Sequence, residues 1–95
     1  MAAFLVIRAK VTDAAGFAPY ARQSAQLCAR FGGQYLVRGG EQCVLEGHDD
    51  GMRVVVTRFD DRAAALAFWN SPEYAQLKAL RAGTGEFDVR LVEGD

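Results

Sequence analysis

The chain opens on a strict alternation. Ala3, Leu5, Ile7, Ala9 and Val11 fall on one side, and Phe4, Val6, Arg8 and Lys10 on the other. A period of two predicts a strand with one dry face and one mixed face. The period then changes. Phe17, Tyr20, Ala21, Ser24, Leu27, Cys28 and Phe31 recur at three- and four-residue steps, which is the stripe of an amphipathic helix. Asp13 is its expected N-cap, and Gly32-Gly33 its stop. Pro19 lies too deep for a first turn, so the helix is expected to begin near residue 17 or to bend there. An internal proline loses a hydrogen bond and clashes one turn back.

Gln34 to Arg38 reads as a second strand, interrupted at Gly39-Gly40 and resumed over Glu41 to Leu45. Paired glycines in an extended segment mark a bulge, a bend or a close backbone approach. Gly47 to Gly51 is a polar turn containing the only histidine, His48. Arg53 to Phe59 is a valine-rich third strand. Asp60-Asp61 cap a helix of small residues from Ala63 to Trp69. Ser71-Pro72-Glu73 then restarts a helix with a cap, a proline at the first position and an acid in the first turn. Its apolar positions are Tyr74, Leu77 and Leu80, and Gly83 ends it. Glu86 to Glu93 alternates as the last strand. The order is β-α-β-β-α-β, the split βαβ or ferredoxin-like arrangement, an α+β fold with helices on one face of an antiparallel sheet.

With the dry faces under the helices, the other side of the sheet is expected to carry Phe4, Val6 and Arg8; Leu36 and Arg38; Val54, Val56 and Arg58; and Asp88, Arg90 and Val92. So large an apolar patch exceeds what monomers expose. Covering each Val, Leu or Phe is worth roughly 1.5–3 kcal/mol. A second copy across a two-fold axis would cover it, so the expected partner is the chain itself, as a homodimer. The arginines threaded through this face each need a carboxylate or a ligand if they are buried.

Composition narrows the classes. Ninety-five residues, 51% hydrophobic and 24% charged, suit one folded domain over residues 1–95. A net charge of −1 with scattered Lys and Arg gives no field for nucleic acid or an anionic membrane. No apolar run approaches the roughly 20 residues that span a bilayer, and Met1 to Arg8 lacks the basic start of a secretory signal. A cytoplasmic location follows as the expectation. Cys28 and Cys43 match no zinc or redox spacing and are expected to be free thiols.

Candidate chemistry is sparse. Arg38-Gly39-Gly40 sets a guanidinium beside backbone N–H groups, a pairing suited to a carboxylate. Its structural counterpart is a bulged strand whose Arg38 pairs with Glu41, Glu46 or Asp88. Tyr20 and Tyr74 sit on helices from which a phenol reaches a pocket over the sheet, as a hydrogen-bonding tip or a proton-transfer group. Histidine is the side chain best suited to general-base work near neutral pH, which makes His48 the candidate, although its turn reads as solvent-exposed. Asp49, Asp50, Asp60 and Asp61 lack a His or Cys at ligand spacing, so no metal is expected. Trp69 reads as core or pocket wall.

Tyr35-Leu-Val-Arg-Gly-Gly40, Leu45-Glu-Gly47, Arg53-Val-Val-Val56, Trp69-Asn-Ser-Pro-Glu-Tyr74 and Leu77-Lys78 together resemble domain of unknown function family 1330, over almost the whole chain. Arg58 departs from that pattern, where an acidic residue is common, and so does His48, in a loop that often carries an aromatic. The family is similar to a branch of the dimeric α/β-barrel superfamily, which implies the same fold and a dimer formed sheet to sheet. The superfamily includes cofactor-independent monooxygenases, muconolactone-type isomerases, haem-degrading enzymes and ligand-sensing domains. Its haem-holding members use a helix-borne histidine, which neither helix has here, so no cofactor is expected. The expected site joins Arg38, Gly39 and Gly40 to Tyr20, Trp69 and Tyr74, around a small carboxylate-bearing or polar aromatic metabolite. Two readings stand side by side: isomerase- or oxygenase-like chemistry without metal or haem, and a non-catalytic ligand-sensing or interaction module.

Overall fold

A central strand organises the molecule, whose computed structural model describes residues 1–94. Strand β1 (Ala3–Val11) lies between β3 (Arg53–Phe59) and β4 (Gly85–Glu93), and β2 (Gln34–Arg38) forms the outer edge beside β3. Every pairing is antiparallel. Helices α1 (Ala14–Arg30), α2 (Arg62–Trp69) and α3 (Pro72–Leu80) complete the ferredoxin-like order. The core lies between helices and sheet, where Leu5 and Phe59 meet Leu27, Cys28, Phe68 and Tyr74. Among the described residues no helix is long and apolar enough to cross a membrane.

The helix starts follow their caps. Asp13 accepts from the Gly16 N–H at 3.0 Å, Asp61 from Ala64 at 2.8 Å, and the Ser71 hydroxyl from Tyr74 at 3.1 Å. Each side chain satisfies a first-turn N–H that has no partner within its helix. α1 begins at Ala14 and runs as one helix through Pro19. The late start expected near residue 17 does not occur. The Asp13 cap holds the first turn, and the N–H groups of Thr12 and Asp13 both donate to the Thr84 carbonyl, at 2.8 and 3.1 Å.

β2 departs from simple alternation. Tyr35 pairs with Thr57, but Val37 pairs with Val56 and Arg38 with Val55, so Leu36 is the extra residue of a bulge. Directly opposed residues share a face, and one inserted residue turns over everything after it. Val37 therefore joins Val56 and Val6 on the open face. Arg38 joins Tyr35, Val55 and Ile7 under the helices, not the open face where alternation placed it. The expected resumption of the strand over Glu41 to Leu45 also fails. Gly39 turns away with φ +69° after its N–H bonds the Val54 carbonyl at 2.8 Å, and residues 39–52 form a loop. That stretch has no neighbouring strand to pair with, and Leu45 is 94% exposed.

The three arginines that do lie on the open face each meet a carboxylate: Arg8 with Asp50, Arg58 with Asp60 at 3.2 Å and Arg90 with Asp88 at 3.1 Å. A last correction concerns α3. Leu80 faces outward, whereas Arg81, one residue on, is only 8% exposed.

Candidate functional site

A cavity of about 180 Å³ lies between α1 and the covered face of the sheet. Its roof is the α1 stripe, since Phe17, Tyr20, Ala21 and Ser24 share one side of a 3.6-residue helix. Its floor is the inward set of all four strands, Tyr35 and Arg38, Val55, Ile7 and Ala9, and Phe87 and Val89. Arg81, just past α3, also lines it. Gly85 lets the α3–β4 turn close against β1, because a Cβ there would run into the backbone of Lys10 and Val11.

Aromatic contacts hold the walls. Phe17 stacks on Phe87 at 5.7 Å and 15°, and Tyr20 lies 5.3 Å from Phe17. The hydroxyls of Tyr20 and Tyr74 share a hydrogen bond of 2.7 Å. Tyr74 does not line the cavity. It is buried behind Tyr20, against Phe68 at 4.8 Å and Trp69 at 5.0 Å, and fixes the Tyr20 tip. Burial, and then the adjoining Tyr74, push the Tyr20 phenol well above its ordinary value. It is thus a neutral hydrogen-bonding group near pH 7, not a base. Tyr35 is raised too, first by burial and then by Cys28.

Two guanidiniums border this space, each on an aromatic face. Arg38 Cζ lies 4.5 Å from the Tyr35 ring centre, and Arg81 Cζ lies 4.2 Å from Phe87 and 5.3 Å from Tyr20. For Arg81, the buried one of the two, such cation–π contact offsets part of the cost of its charge. No aspartate or glutamate among the described residues lines the cavity. Among the described residues neither arginine forms an ion pair, and the buried Nε of Arg81 has no hydrogen-bond partner.

The structure therefore brings Arg38 and Tyr20 together and separates the other expected residues. Gly39 and Gly40 lie beyond the cavity, and the Gly39 N–H is already used by Val54. Trp69 stands in a neighbouring shallow groove with Lys78, of which Arg81, Phe87 and Val89 form the shared wall. His48 lies on the opposite side of the sheet, in a loop groove with Arg8, Asp49 and Val54. Asp49 and Asp50 brace that loop by accepting from Gly51 and Met52 at 2.9 and 3.0 Å. The Met52 bond, then the Arg8 guanidinium, hold Asp50 below the usual carboxylate range. Cys28 and Cys43 are free thiols, and burial pushes Cys28 up to about 11. Among the described residues no cluster of His, Cys, Asp or Glu has the makings of a metal site.

Arg81 escaped the sequence reading. An arginine at a helix end is ordinarily explained by the helix dipole. The available signal was its place seven residues after Tyr74, on the same helical face.

The fold is shared with solved structures of low sequence identity. A protein of unknown function from Rhodopseudomonas palustris superposes with a TM-score of 0.81 at 17% identity, covering 98% of this chain and 82% of that one. SnoaB, a cofactor-independent oxygenase from Streptomyces nogalater, gives 0.68 at 19% identity, over 99% of this chain and 93% of its own. The de novo designed protein Foldit4 gives 0.64 at 15% identity over the full length of both. That a designed chain shares this fold underlines that fold alone carries no activity. No curated protein matches the sequence. The model of the family described as Domain of unknown function (DUF1330) matches residues 2–95, and the chain belongs to that family.

Proposed function

We propose that this protein binds a small carboxylate-bearing aromatic molecule in the helix–sheet cavity, with Arg38 at the rim and Tyr20 in the wall as polar contacts. The observation that carries the reading is an aromatic cavity bordered by two arginines and, among the described residues, by no carboxylate. Its volume of about 180 Å³ suits one ring with a short substituent, since an apolar cavity of about 150 Å³ accepts benzene. A thermal-shift and calorimetric panel of aromatic carboxylates and their neutral amides tests it. Acids are expected to stabilise the protein and amides to do less. Arg38→Ala is expected to weaken acid binding about threefold to fivefold, as for a partly solvated ion pair. Indifference of the wild type to every acid would overturn the reading.

Binding takes precedence over catalysis because His48, the candidate general base, faces away from the cavity. The fold likeness to a cofactor-independent oxygenase favours a second reading, in which the same cavity turns its ligand over without metal or haem. Oxygen uptake on adding a bound aromatic acid supports it, and its absence leaves binding alone.

The open face supports self-association in the same proposal. Phe4, Val6, Val37, Val54 and Val56 adjoin there, and the local carboxylates already neutralise Arg8, Arg58 and Arg90. Static light scattering is expected to return twice the 10.3 kDa chain mass at micromolar concentration. A monomer would contradict it. Free thiols, one of them exposed, agree with a reducing cytoplasmic setting.

A further inference from the structure

We infer that Arg81, rather than Arg38, is the principal anchor for the ligand's anionic group, so that an aromatic carboxylate enters acid-first and seats its ring between α1 and the sheet. The inference rests on the aromatic-carboxylate reading and adds to it a residue and an orientation. Arg81 is 8% exposed, its Nε is buried without a partner, and it forms no ion pair among the described residues. A buried cation without a counter-charge is costly, and an anion placed against it relieves that cost. Among the described residues Thr57 Oγ1 is the other buried polar side-chain atom without a partner, but it is uncharged and does not line the cavity.

Arg38 is in a different position. It lies exposed on the edge strand, where water already solvates it, and an anion there gains less. The Arg81 guanidinium is also held in place, with Phe87 at 4.2 Å and Tyr20 at 5.3 Å. A carboxylate engages such a planar group in two parallel bonds that a lysine cannot reproduce, and the Arg81 Nη groups, not among the fully buried unpartnered atoms, are the ones it meets first. Phe17 and Phe87, stacked nearby, supply the flat walls for the ring. The distal edge of the ring then points toward Tyr35 and Arg38.

The test titrates benzoate and benzamide, equal in shape and different in charge, into the wild-type chain and into Arg81→Met, Arg81→Lys and Arg38→Met by calorimetry. Arg81→Met is expected to lose about tenfold or more in benzoate affinity, the scale of a hydrogen-bonded charge. Benzamide affinity should change little, Arg81→Lys should restore only part of the loss, and Arg38→Met should cost less than Arg81→Met. A greater loss in Arg38→Met than in Arg81→Met overturns the inference and leaves the cavity reading standing. Wild-type protein that binds neither benzoate nor any other aromatic carboxylate removes both. Should the Arg81 variants fail to fold, the wild-type Arg81 Nε–H resonance, assigned through bonds, decides. A shift with benzoate and not with benzamide supports the anchor, and no shift on benzoate binding overturns it.

Discussion

Phe59→Ala is expected to destabilise the protein by about 3–5 kcal/mol, the cost of a large core side chain and the cavity it leaves. Phe59 is fully buried at the end of β3, opposite Ala3 and 5.7 Å from the Phe68 ring. Its ring edge also meets Gly33, which has no side chain with which to fill the space. Domains of this size hold roughly 5–15 kcal/mol in total, so the variant retains a fraction of its margin. Urea unfolding followed by fluorescence and circular dichroism should show a lower midpoint with an unchanged slope. Leu45→Ala, in the loop and almost wholly exposed, should stay within about 0.5 kcal/mol. Equal effects at the two positions would mean that the core is not centred where Phe59, Phe68 and Cys28 place it.

Much of this core is written in periodicity. The alternation of residues 3–11, the valines of β3 and the three-and-four spacing of α1 each give a face directly, and Asp13, Asp61 and Ser71 mark where helices start. The failures have one kind of cause. Alternation counts residues, and the bulge at Leu36 adds a residue that leaves no trace in composition, so alternation alone puts Arg38 on the wrong face. Glu41 to Leu45 has the look of a strand but lies where no neighbouring strand is available. Leu80 is more apolar than Arg81, yet the helix ends so that Arg81 turns inward and Leu80 outward. At the candidate site, Tyr20 was legible as a residue on an apolar stripe. Its restraint by Tyr74, and the meeting of Arg38, Tyr35 and Arg81, depend on tertiary approach. The consequence for function is direct. Three open-face arginines have local acid partners, whereas the one that the bulge moves across the sheet has none.

The proposed two-fold assembly gives the second large effect, and it separates the two faces of the sheet. Val56 lies at the middle of the open face, opposite Val6 on β1 and Val37 on β2. In a sheet-to-sheet dimer it would be covered, and symmetry would present it twice. Val56→Arg then places two bulky cations in that interface, beside Arg8, Arg58 and Arg90, whose carboxylate partners are already engaged. Desolvating each unpaired charge costs several kcal/mol, more than the covered valine contributed at roughly 1.5–3 kcal/mol. The expected result by light scattering is a monomer at concentrations where the wild type is dimeric. Val56→Leu, which keeps the face apolar, should remain dimeric. In the separate protomer the new side chain meets water, so the helix-side core around Phe59 is untouched and the melting transition should stay cooperative. Benzoate binding should survive, because the cavity opens on the other face of the sheet. A Val56→Arg protein that stays dimeric would move the contact away from this face. A dissociated protein that no longer binds benzoate would instead make the cavity depend on the second copy.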